Sequence, residues 1–135
     1  RAFLDGRPDV SEVRVEDWVS WNRTLCASFF IDENGKPVPL EVCSQLLTKT
    51  TRFLGGSSHT GLALADRQAL QDLSMPFVNK VAADGMRAFM AVDVILSNPS
   101  GRPGELLLPV TGQAVRFVEA NLRINGHNQD RLFVA

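Results

Sequence analysis

The segment Thr24–Cys43 reads TLCASFFIDENGKPVPLEVC, and its reading decides the fold class. Leu25, Ala27, Phe29 and Ile31 alternate with Cys26, Ser28 and Phe30, the period-2 pattern of a strand with one buried face. The run ends in Asp32-Glu33-Asn34-Gly35. Asn-Gly as a two-residue loop favours a type I′ hairpin. That loop sets a register in which Cys26 faces Cys43, Phe30 faces Pro39 and Asp32 faces Pro37. All three are then non-hydrogen-bonded pairs, so neither proline is asked for an amide within the ladder, and their outer side is a local sheet edge. The two thiols stand with Cα atoms about 4.5 Å apart, within disulfide reach but in a strained geometry.

Composition narrows the class. The 135 residues, 44% hydrophobic and 21% charged, fit one globular domain with a real core. A net charge of −1 and a pI near 6.1 give no electrostatic footprint for nucleic acid or an anionic membrane. No apolar run approaches the ~20 residues of a membrane span, and no secretory signal order opens the chain. A cytoplasmic protein with reduced thiols is expected. His59 and His127 do not stand at zinc-ligand spacing from the cysteines. The chain opens at Arg1 and stops at Leu132-Phe133-Val134-Ala135, which reads as the first turns of an apolar-faced helix over 128–135. A piece of a longer polypeptide is expected.

Upstream, residues 1–11 form a lead-in, and Val13, Val15 and Val19 start a strand that ends in the polar turn Ser20–Arg23. Downstream, Ser44–Phe53 continues the second strand, and Gly55–Gly61 reads as a flexible, substrate-facing loop. It is not a phosphate cradle, because no Gly-Lys-Ser/Thr follows and no GxGxxG opens a helix. His59 in that loop reads as an exposed residue or, less simply, a base. Asp66–Asp84 is the main helical region, with Leu70, Leu73, Phe77 and Val81 on one face. Pro76 either kinks the helix or lies in the first turn of a second helix capped by Ser74. Gly85 is a C′ stop.

Phe89–Leu96 is the next strand, with Met90, Val92, Val94 and Leu96 facing the helix and Asp93 on the other face. Asn98–Gly104 is a turn-rich loop, Glu105–Val110 a short strand, and Thr111–Gln113 a turn into a strand over Val115–Arg123. On that strand Glu119, Asn121 and Arg123 share a face with Val115 and Phe117. A carboxylate, an amide and a guanidinium in a row, with Asp93 on the paired strand, suit Mg²⁺ carrying phosphates. The alternative is a polar face that is simply hydrated, with Asp93 hydrogen-bonded to backbone. The fold class is α+β, a mainly antiparallel sheet with helices packed on one face.

This order of features resembles the C-terminal lobe of the ATP-grasp ligases over residues 12–128. Gly85-Met86-Arg87-Ala88-Phe89-Met90-Ala91-Val92-Asp93 is similar to the family's G-x-R-G-x-x-R-x-D strand, and Glu119-Ala120-Asn121-Leu122-Arg123 to its E-x-N strand. The resemblance implies Asp93, Glu119 and Asn121 as ligands of Mg²⁺ (or Mn²⁺). It places Arg123 and Arg87 as catalytic cations beside the phosphates or an acyl phosphate. Glu16 and Val19 match the hinge strand that reads adenine, and Val118 joins them in the nucleotide site. The implied activity is ATP-dependent carboxylate–amine or carboxylate–thiol ligation, with ATP as co-substrate. The partners are a small carboxylate, an amine and the remaining lobes of the polypeptide; a homodimer stays open, and no nucleic acid or membrane is implied. The chain departs from the pattern at four points, one of them the long connection from Asp93 to Glu119, which implies an elaborated hairpin. Ala91 replaces an arginine, Arg23 stands where an acid often binds ribose, and Lys36, Lys49 and Lys80 are the only lysines, so the family's nucleotide-binding lysines are not in this stretch. The fragment alone is expected to be inactive. The rival reading is a non-catalytic α+β binding or scaffolding module.

Overall fold

The structure, a computed structural model, describes residues 19–122. The strand expected at Val13–Val15, Glu16, Arg123 and the C-terminal apolar segment lie outside the described residues. Within them the elements are β1 (Arg23–Ile31), β2 (Pro37–Leu47), β3 (Phe53–Ser57), α1 (Leu64–Ala83), β4 (Phe89–Ser97) and β5 (Ala114–Asn121). The strands form one antiparallel sheet in the order β3-β2-β1-β4-β5. The helix lies on one face, mainly over β2 and β1. Among the described residues no helix is long and apolar enough to cross a membrane.

The β1–β2 hairpin forms where expected, but its turn differs. The Gly35 amide donates to Asp32 O (3.0 Å) and the Asp32 amide to Lys36 O (3.1 Å), so the loop has three residues, Glu33-Asn34-Gly35. Only Gly35 takes a positive φ there, +81°, whereas a type I′ turn needs two such residues. Asp32 is the cause: its Oδ1 accepts the amides of Asn34 (2.9 Å) and Lys36 (2.8 Å), which holds the chain in a wider turn. Pro39 therefore pairs with Phe29 and Pro37 with Ile31, one place off the expected register. A bulge then sets Leu40 and Glu41 opposite Ser28, and the offset cancels. Cys26 faces Cys43 after all.

Hydrogen-bond parity also changes. The Asp32 amide points to β2 and the Ile31 amide to β4. Carried along β1, this alternation leaves both prolines at non-hydrogen-bonded places and makes Cys26–Cys43 a hydrogen-bonded pair, with Cα atoms about 5.5 Å apart rather than 4.5. No disulfide joins them. β3 pairs only with Ser44–Leu47, so the proline half of β2 is a local edge among the described strands, as expected.

The core lies between α1 and the sheet. Leu25, Ala27, Phe29 and Ile31 of β1 and Met90, Val92, Val94 and Leu96 of β4 meet Leu70 and Val78 of α1. Burying one such side chain contributes about 1.5–3 kcal/mol. The helix runs unbroken through Pro76, so no second helix starts at Ser74. Its buried line is Asp66, Leu70, Ser74, Val78 and Ala82, spaced four apart, while Leu73 and Val81 flank it half-buried and Phe77 turns outward. Ser74 can be buried because its hydroxyl donates to Leu70 O at 2.7 Å. The helix ends as expected at Gly85 (φ +98°): the Gly85 amide reaches Ala82 O and the Met86 amide reaches Val81 O, carbonyls of the last turn.

Two loops also differ from expectation. Thr48–Arg52 is a tight turn, and Phe53–Ser57 is a strand, outermost among the described strands, rather than part of a flexible glycine loop. Glu105–Val110 forms no strand; one bridge, Leu107 to Ala114, and the bond from the Val115 amide to Leu106 O (2.8 Å) make it a hook along the start of β5. Asp66, fully buried at the start of α1, holds this hook: its carboxylate accepts the amides of Val110 (2.8 Å) and Thr111 (3.1 Å).

Candidate functional site

The face of the sheet away from α1 carries the candidate residues, and one irregularity decides which of them meet. Val94 pairs with Phe117 and Asp93 with Glu119, so Val118 is an extra residue in β5. An inserted residue reverses the alternation of everything beyond it. Val115 and Phe117 lie on the helix face, Val115 in the core and the Phe117 ring 4.8 Å from that of Phe77. Glu119 and Asn121 lie on the other face with Asp93. The expectation that Val115, Phe117, Glu119 and Asn121 share one face is corrected: the halves of β5 look in opposite directions.

Asp93, Glu119 and Asn121 are brought together. The Asn121 Nδ2 donates to Asp93 Oδ2 at 3.0 Å and to Glu119 Oε1 at 3.1 Å. The positive end of an amide dipole thus bridges two carboxylates, where a cation would do the same with more charge. With the amide turned about its last bond, the same three side chains would offer oxygens alone, the donor set of a hard divalent ion. Asn121 is essential to that set, because among the described residues no three His, Cys, Asp or Glu side chains cluster as metal ligands.

Asp93 also pairs across β1 with Cys26, which in turn faces Cys43. A lateral row Cys43–Cys26–Asp93–Glu119 therefore crosses four strands, the thiols buried and the acids progressively more exposed. Cys26 Sγ lies 3.8 Å from Ser28 Oγ.

Other expected residues fall elsewhere. Arg87 is not at the trio. Its Nη1 donates to Ala82 O (3.0 Å) and Met86 O (2.6 Å) and its Nε to Glu33 O (3.3 Å), so it staples the end of α1 to the hairpin loop. The cause is local: the carbonyls at the negative end of the helix dipole attract a cation two residues past the stop. Gly35 makes room for it, since a Cβ there would lie 2.6 Å from Arg87 Nη2. Val19 is half-buried in coil before β1, and Val118 is exposed in the bulge beside Glu119. Glu16 and Arg123 fall outside the described residues. Arg23 donates to Thr60 O at 2.8 Å, and His59 is exposed beyond β3.

Sequence reasoning missed Arg116. It pairs with Ile95, two residues from Asp93 on the same face, and the bulge alone puts it on the side of Glu119. In an unbroken strand Arg116 and Glu119 would point opposite ways. The Arg116 Nη2 lies 3.3 Å from Glu105 Oε1. Desolvation opposes the Glu105 charge. It is outweighed by the Ser100 hydroxyl, the Ser100 and Gly101 amides and Arg116, so the carboxyl is held below the usual glutamate range.

No family model matches the chain, and no curated protein matches it either.

Proposed function

We propose that this chain is the metal-bearing wall of an ATP site, the C-terminal lobe of an ATP-grasp-like ligase that joins a carboxylate to an amine or thiol through an acyl phosphate. The observation that carries this reading is the meeting of Asp93, Glu119 and Asn121 on the face of the sheet away from α1. Two acids and an amide on adjacent strands fit Mg²⁺, which takes few protein oxygens and leaves its other positions to water and phosphate. Bound there, the ion would supply charge neutralisation between the β and γ phosphates. Asp93, Glu119 and Asn121 hold and orient it, and Arg123 is the proposed cation for the transferring group. Arg87, spent on the helix end, has a structural task. Adenine contacts by Glu16, Val19 and Val118, cytoplasmic location and dependence on further lobes belong to the same reading.

The test is Mg²⁺-dependent ATP binding by the intact polypeptide. Loss of binding in Asn121→Ala, with folding preserved, supports the reading. Binding indifferent to both Asp93→Asn and Glu119→Gln sinks the metal assignment. A second reading has its own observation: the Asn121 amide already donates to one oxygen of each carboxylate, as it would in a scaffolding module that never binds metal. That reading expects those three substitutions to change stability and no metal affinity.

A further inference from the structure

Arg116 stands on the face of the acidic trio for one reason, the extra residue at Val118. Its surroundings are odd for a structural arginine. Nη2 makes a long contact with Glu105, 3.3 Å, while Nε is buried and makes no hydrogen bond. A buried donor left unmade costs more than the contact beside it returns. The side chain is about one-third exposed, and a cavity of about 250 Å³ opens beside it, lined by Arg102, Pro103, Gly104, Glu105, Leu106 and Val115. Glu105, by contrast, is fully committed. Its two oxygens accept Ser100 N (2.9 Å), Ser100 Oγ (3.0 Å) and Gly101 N (3.1 Å), so it can lose Arg116 without becoming an unpaired charge.

We propose that Arg116 is an anion-binding residue of the acidic site, parked on Glu105 until an oxyanion (the phosphate of a nucleotide or the carboxylate of a substrate) arrives beside Asp93 and Glu119. A guanidinium two pairs along the sheet from the two acids, and on their face, can reach a group held between them, and its planar fork matches a phosphate or carboxylate edge. Glu105 then acts as a positioning residue. It competes for Arg116 while empty and keeps the fork from folding onto Asp93 or Glu119. The inference rests on the reading of Asp93, Glu119 and Asn121 as a divalent-metal site, which Mn²⁺ binding tests separately.

Inorganic pyrophosphate and acetate, each titrated by calorimetry into the intact polypeptide with and without Mn²⁺, distinguish phosphate from carboxylate as the anion. The better probe is expected to lose about tenfold in affinity in Arg116→Gln, the worth of one charge-assisted hydrogen bond. Mn²⁺ affinity measured without anion stays unchanged. Glu105→Gln removes the competitor and raises affinity severalfold, and adding Arg116→Gln abolishes that gain, which separates release of Arg116 from loosening of the loop. The Arg116 Nε–H resonance moves on addition of anion. Mn²⁺ binding with anion affinity unmoved by Arg116→Gln overturns this inference alone. Arg116-dependent anion binding without Mn²⁺ binding keeps Arg116 as the anion's partner but overturns both the metal reading and the placing of the anion beside Asp93 and Glu119. Binding of neither anion overturns it outright.

Discussion

Phe117 and Glu119 stand two residues apart on one strand and face opposite sides of the sheet, because Val118 is an extra residue between their partners Val94 and Asp93. Phe117 packs beside Phe77 on the helix face, and Glu119 joins Asp93 on the face away from α1. One strand thus serves packing with its first half and the candidate site with its second.

The trio should respond to divalent metal through Asn121. Its Nδ2 now bridges the two carboxylates. Titration with Mg²⁺ is expected to turn the amide oxygen inward and shift the Asn121 side-chain NH₂ resonances, with Asp93→Asn abolishing the shift. Side-chain spectra that ignore Mg²⁺ up to millimolar concentrations would count against a metal site.

Asp66 should be among the costliest polar positions. It is fully buried and bonds two hook amides. Asp66→Ala leaves both unpaired and is expected to cost about 3 kcal/mol, read as a lower urea midpoint. Asp66→Asn keeps one acceptor and should cost less.

Pro76 should be a site where stability can be gained. It sits exposed inside α1, and the helix continues past it without the amide that would reach Asp72 O. Alanine is favoured there by about 3 kcal/mol in helix propensity, offset by about 0.5–1 kcal/mol from a looser unfolded chain. Pro76→Ala is expected to raise Tm by several degrees. An unchanged or lower Tm would mean the proline packs against something that alanine cannot replace.

Glu105 gives the loop a pH dependence of known sign. Its folded carboxyl ionises below the ordinary value of 4.5, so the folded state binds fewer protons than the unfolded one near that pH. The tie to Ser100 and Gly101 is therefore complete above that value and is lost as pH falls through the lower folded one. The protection of the Ser100 and Gly101 amides, read as exchange relative to the intrinsic rate at each pH, should fall on acidification in the native protein and stay level in Glu105→Gln. Protection that instead rises on acidification would reverse the assignment.

How far the sequence could be read depended on whether a feature had a local signature. The β1–β2 hairpin, the inward row Met90–Leu96 and the stop at Gly85 follow from alternation or from a residue suited to positive φ, whereas Cys26 meets Cys43 only because the bulge offsets the longer turn. The meeting of Asp93 with Glu119 and Asn121 followed from strand order together with motif spacing. The bulges at Leu40–Glu41 and Val118 could not be read, because a surplus residue in a strand needs no special side chain and shows only in the pairing. The helix line was misread for a related reason. Leucines looked like the buried face, but Ser74 takes that place once its hydroxyl bonds Leu70 O, and Asp66 does so by holding the hook. Arg116 followed the bulge out of view.

The Val118 surplus also makes the chain tolerant of a change in length at one place. Removing Val118 would leave Phe117 opposite Val94 and bring the acid directly after it opposite Asp93, so every side chain keeps its side. Removing Ala120 instead would carry Asn121 to the helix side and empty the amide from the acidic cluster. Related chains can thus be one residue shorter at this point and keep the same two surfaces, while an equal loss two positions later would exchange them.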